Sequence, residues 1–70
     1  MSQIGNEIKL LLKYKSVLDE TNFMISKKMT ERMISMSFGE WSDDAEKMYQ
    51  QDIENLENVS KDILDKISSL

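Results

Sequence analysis

The helical pattern of this chain is punctuated in one place, Ser37-Phe38-Gly39-Glu40-Trp41-Ser42. Proline is absent, and the only other glycine is Gly5, near the start. A chain so poor in turn residues has few ways to reverse direction, so it is restricted to very few elements. Leu, Met, Glu and Lys are abundant, whereas Val, Thr, Tyr, Phe and Trp are few, which favours helix over strand. The expected fold is all-α: an antiparallel two-helix hairpin forming a single unit over 1–70. It has a helix over about 3–37, a turn over about 38–42 and a helix over about 43–69.

The turn carries its own stop and start signals. Gly39 suits the left-handed position that ends a helix, because it has no Cβ to clash. Ser42 or Asp43 can cap the next helix by accepting from backbone N–H groups that lack partners. Asp43, Asp44 and Glu46 then place negative charge where the helix dipole favours it.

The two helices differ in how clearly they announce a face. In the second, Tyr49, Ile53, Leu56, Ser60, Ile63, Ile67 and Leu70 alternate in steps of 4 and 3, with Met48, Val59 and Leu64 beside them. In the first, Ile4, Ile8, Leu11, Leu18, Ile25, Met29 and Met36 follow a 3.5-residue row with polar gaps at Lys15, Asn22 and Arg32. A flanking row of Leu10, Tyr14, Val17 and Met24 widens that stripe, and Leu12 and Met33 add to it. Such breadth suits a helix with more than one neighbour. Thr21-Asn22-Phe23 is the weakest helical stretch and the place where a kink or break is expected, if there is one. The methionines at 24, 29, 33 and 36 read either as ordinary filling or as an adaptable docking face.

With 70 residues the chain can bury little of its own surface, and small scaffolds of this kind need a staple. Cysteine and histidine are absent, so disulfides and the commonest metal ligand are excluded; oligomerisation is the staple left. Dimerisation into a four-helix bundle would cover what a lone hairpin leaves open. The expected partner-facing residues are Ile8, Leu11, Leu18, Ile25 and Met29 in the first helix. In the second they are Ile53, Leu56, Ile63 and Ile67. The net charge of −4 argues against nucleic acid or an anionic membrane as partner. Lys27, Lys28 and Arg32 are the nearest approach to a basic cluster and read as a solvated face. No apolar run is long enough to span a membrane, and no cleavable leader is visible, so the chain is expected to be made in the cytoplasm.

Catalysis is not expected, because no Ser-His-Asp or Cys-His set and no glycine-rich phosphate loop is present. Glu40, Asp43 and Asp44 could in principle hold Ca²⁺ or Mg²⁺, but capping and the dipole account for the same residues, so neither metal nor cofactor is expected. The informative stretch is Trp41-Ser42-Asp43-Asp44-Ala45-Glu46-Lys47-Met48-Tyr49. Trp41 sits at the turn, Ala45 follows at +4 and Tyr49 at +8, so the latter two share a helical face with room beside Ala45 for a large ring.

This arrangement of Gly39, Trp41, Ala45 and Tyr49 resembles the WXG superfamily of small bacterial proteins handled by type VII (ESX-type) secretion systems. Members are helical hairpins turned at Trp-x-Gly, often with Ala at +4 and Phe or Tyr at +8. Here Asp43 stands where the family has Gly, and the chain is shorter than the family norm. Neither tyrosine opens the family's Tyr-x-x-x-Asp/Glu export signal, since Tyr14 is followed at +4 by Leu18 and Tyr49 by Ile53. The resemblance implies a homodimer or heterodimer partner, or a companion of the helical N-terminal domain of a larger secreted toxin that supplies the signal. Export would then need no cleavable leader. The alternative from the residues alone is a non-secretory coiled-coil adaptor or small regulatory protein, with Lys15, Asn22 and Ser60 setting register.

Overall fold

The chain reverses at Gly39, whose φ of 69° lies in the left-handed region that only glycine enters without strain. The computed structural model describes residues 2–70, with side chains from residue 4 onward. It contains two helices, α1 (Ser2–Ser37) and α2 (Asp43–Ser68), packed against each other as an antiparallel hairpin. The end of α1 is a Schellman cap: the Gly39 N–H donates to the Met36 carbonyl at 3.1 Å and the Glu40 N–H to the Ser35 carbonyl at 2.8 Å. Ser42, with extended backbone, caps α2 by accepting from the Ala45 N–H at 3.0 Å. Asp43, Asp44 and Glu46 occupy the first turn of α2 and Lys66 the last, each at the dipole end that suits its charge.

The hairpin is thin. It measures 58 × 16 × 11 Å, and its radius of gyration is 16.5 Å. A compact chain of this length would have a radius near 11 Å. Only two residues are buried among the described residues, Ile63 at 6% exposed and Thr21 at 5%, and no side chain is wholly enclosed. α1 is continuous through Thr21-Asn22-Phe23, so the possible break there does not occur. The Thr21 hydroxyl donates to the Val17 carbonyl one turn back at 2.8 Å, which satisfies it without help from α2.

α2 presents the face its periodicity announces: Tyr49, Ile53, Leu56, Ser60, Ile63 and Ile67 are half-buried or buried, and Ala45, Glu46 and Asp52 join them near the turn. Leu70 is exposed. α1 departs from its expected row. Its shielded positions are Tyr14, Leu18, Thr21, Ile25, Lys28, Arg32 and Ser35, again in steps of 4 and 3. Leu18, Ile25 and Arg32 belong to both rows, but Ile8, Met29 and Met36 lie outside the contact and are exposed. The helix is thus rotated by about 50° from the expected row, half the angle between successive residues.

The reason is polar satisfaction. The expected row would turn Lys15 and Asn22 towards α2, where unpaired polar groups are costly. The observed rotation turns in polar groups that have partners. Lys28 reaches Asp52 at 3.2 Å and Arg32 reaches Glu46 at 2.7 Å, while Lys15 pairs outside with Asp19 at 2.7 Å. These cross-helix pairs set the register. Continued at helical spacing, it brings Ile25 level with Leu56, Thr21 with Ser60, Leu18 with Ile63 and Tyr14 with Ile67.

Candidate functional site

Two features of the hairpin stand out as surfaces that could do something: a polar and aromatic cluster at the turn, and an apolar row of α1 that α2 leaves open.

The turn cluster is built around Glu46, in the first turn of α2. Its carboxylate accepts from Arg32 Nε at 2.7 Å and Arg32 Nη2 at 2.9 Å, from Trp41 Nε1 at 2.6 Å and from Gln50 Nε2 at 3.0 Å. The Arg32 fork supplies two parallel bonds from α1, which fixes angle as well as distance. With Arg32 first, then Gln50 and Trp41, donating to it, the carboxyl is held well below the usual range, at about 2. Arg32 is pushed up in turn, chiefly by its hydrogen bonds to Glu46.

The aromatic pair sits on the same group. The Trp41 and Tyr49 rings meet edge to face, with centroids 5.9 Å apart and planes at 78°. The Arg32 guanidinium lies 5.1 Å from the Tyr49 ring centroid, a cation–π contact. Trp41, Ala45 and Tyr49, with Met48, Lys28, Glu31 and Asp52, line a shallow open cleft of about 200 Å³. The turn motif of Trp41, Ala45 and Tyr49 is therefore brought together, while Gly39 serves the reversal itself.

Sequence reasoning missed the centre of this cluster. Glu46 read as a dipole residue and Arg32 as a polar gap. The signal that could have joined them is symmetry: they lie equally far before and after Gly39, so an antiparallel hairpin sets them opposite each other. Lys28, read as part of a solvated basic face, is likewise paired across the hairpin.

The residues expected to face a partner divide into two groups. Leu18, Ile25, Ile53, Leu56, Ile63 and Ile67 lie on the contact between α1 and α2. Ile8, Leu11 and Met29 are exposed. At the open end, Ile4, Ile8 and Leu11 of α1, with Ile67 of α2 and Leu70, line a mostly apolar groove of about 360 Å³ that Glu7 also borders. Further exposed apolar side chains on α1 include Leu12, Met33 and Met36.

Among the described residues, no group of three carboxylates is placed to hold a metal ion. Nor is either helix long and apolar enough to cross a membrane. The arrangement leaves apolar and aromatic surface exposed beside the Lys28–Asp52 pair that lines the cleft. Compared with protein-family models, with curated proteins and with solved structures, the chain matches none.

Proposed function

We propose that this chain is a WXG-like helical hairpin of a type VII secretion pathway, working as a dimer partner or as a targeting companion of a larger effector. The observation that carries the reading is the apolar surface of α1 that α2 leaves exposed, on a chain too small to cover it alone. The contact of Trp41 with Tyr49, over a cleft lined by Ala45, supports the likeness to the family's turn motif. In this reading the protein binds helices, performs no catalysis and carries no cofactor. It is made in the cytoplasm, where it joins the partner whose export it serves.

The test is co-expression with the products of neighbouring genes, followed by affinity capture and mass spectrometry. A helical secreted protein should co-purify at fixed stoichiometry, and deletion of this gene should reduce its export. If no such protein is captured and export is untouched by the deletion, the secretion assignment fails. A stable assembly with no bearing on export would move the assignment to a coiled-coil adaptor.

A further inference from the structure

The end of the hairpin near the turn holds one set of components twice and fills it once. In the filled set, the Arg32 guanidinium lies 5.1 Å from the Tyr49 ring centroid and forks onto the Glu46 carboxylate. The open cleft beside it is lined by Trp41, Tyr49 and Glu31, again aromatic rings with a carboxylate, and Arg32 is not among its lining residues. The two rings stand at 78° to each other, so they make two walls of a corner.

We propose that this cleft receives an arginine side chain of a partner protein, stacked in the Trp41–Tyr49 corner and paired to Glu31. This deepens the partner-binding reading above and rests on its premise that the hairpin works by binding another chain. Three observations support it.

The first is charge. Lys28, which also lines the cleft, is held by Asp52 at 3.2 Å, and Arg32 is held by Glu46. Glu31 is exposed and enters none of the ion pairs among the described residues. From residue 27 to residue 52 the charges left over are Glu31, Glu40, Asp43 and Asp44 against Lys27 and Lys47. This end of the molecule is therefore short of cations, and a basic partner complements it. Lys27 stands one turn before Glu31, but an exposed pair at that spacing competes weakly.

The second is what the rings have left to offer. The Trp41 indole N–H already donates to Glu46 at 2.6 Å, so it is not free for an anion. The same bond fixes the indole before any ligand arrives, which lowers the cost of binding. The ring itself remains, and its π face attracts cations. An acidic side chain would instead meet the unpaired Glu31. Arginine suits the corner better than lysine, because its planar guanidinium stacks on a ring and forks onto a carboxylate at once.

The third is size. The cleft measures about 200 Å³, below the ~300–1,000 Å³ of a small-molecule pocket. Ala45 takes up little of it, and Met48, 67% exposed, adds an adaptable apolar side chain. Such a space suits one side chain from a protein lying across the turn.

The test is a titration of the isotope-labelled full chain with N-acetyl-arginine amide at constant ionic strength, followed by nuclear magnetic resonance. Trp41 is the only tryptophan, so its indole N–H resonance reports the cleft without ambiguity. It should shift and saturate at millimolar probe, with N-acetyl-citrulline amide, the neutral isostere, at least about tenfold weaker. Glu31→Gln should weaken the response at least about fivefold with helix content by circular dichroism unchanged. Glu20→Gln removes the same charge from an exposed site elsewhere on α1 and should leave the affinity as it was. Equal binding of the citrulline or lysine analogue, or a response indifferent to Glu31→Gln, would overturn the assignment. A neighbouring gene product captured equally well by Glu31→Gln also overturns it and leaves the partner-binding reading standing. A Glu31-dependent arginine response in a chain that captures nothing supports the cleft and counts against the secretion reading.

Discussion

The contact between the helices has two halves of different character. Near the turn it is directional: Arg32, Lys28, Glu46, Asp52, Trp41 and Tyr49 meet through ion pairs, an indole hydrogen bond and ring contacts. Away from the turn it is apolar, with Leu18 level with Ile63 and Tyr14 with Ile67, and Ile63 the most buried apolar side chain among the described residues. Apolar burial scales with area and tolerates rotation. A bidentate Arg–carboxylate pair does not. The distal half is therefore held mainly by apolar burial, and the half near the turn decides which side of α1 faces α2.

Substitutions can break this division of labour. The largest effect is expected from Ile63→Asp, which puts an unpaired charge into the apolar half and should cost about 3 kcal/mol or more. Urea unfolding followed by circular dichroism measures it; a change under about 1 kcal/mol would show that the apolar half contributes little. Gly39→Ala comes next. Nothing stands within 4 Å of where the new Cβ would sit, so the cost is the left-handed backbone alone, about 1 kcal/mol. The same unfolding measurement reads it, and no change would mean that the reversal does not depend on the cap.

Acid titration sharpens the contribution of the half near the turn. Glu46 titrates at about 2 when folded, against an ordinary value of 4.5. The unfolded chain takes up that proton first as the pH falls. The stability held by this carboxylate is thus fully present above the unfolded value and is lost progressively between about pH 4.5 and pH 2. Trp41 is the only tryptophan, so its fluorescence follows the cluster directly. Glu46→Gln should flatten this part of the profile; an unchanged slope would assign the acid response to other groups. The smallest effect is expected from Thr21→Val. The hydroxyl it removes bonds only to the Val17 carbonyl of its own helix, and the shape is kept, so stability should move by no more than about 0.5 kcal/mol in either direction. A loss of more than about 2 kcal/mol would mean that Thr21 and Ser60 exchange a bond across the contact.

How much could be read in advance differs between the two helices. The contact face of α2 was legible from Tyr49 to Ile67, because six positions keep one strict period and only Met48, Val59 and Leu64 are large apolar side chains outside it within the helix. The turn was legible for a similar reason: Gly39 and Ser42 act through their own backbone and nearest neighbours. In α1, apolar residues spread around much of the circumference, from Leu10 and Val17 on one flank to Leu12 and Met33 on the other. Several rotations then bury similar apolar area, and counting apolar residues selected the wrong one. The same breadth keeps Ile8, Met29 and Met36 available for a further helix.

Two helices, one reversal at Gly39, the cap at Ser42 and the contact face of α2 follow from the order of residues alone, because each rests on local backbone chemistry or a single unambiguous period. The rotation of α1 and the roles of Arg32 and Glu46 emerge when the two helices pack. Those depend on hydrogen bonds between residues 14 apart in sequence, which exist only once the hairpin closes. Directional bonds choose among arrangements that apolar burial leaves nearly equal.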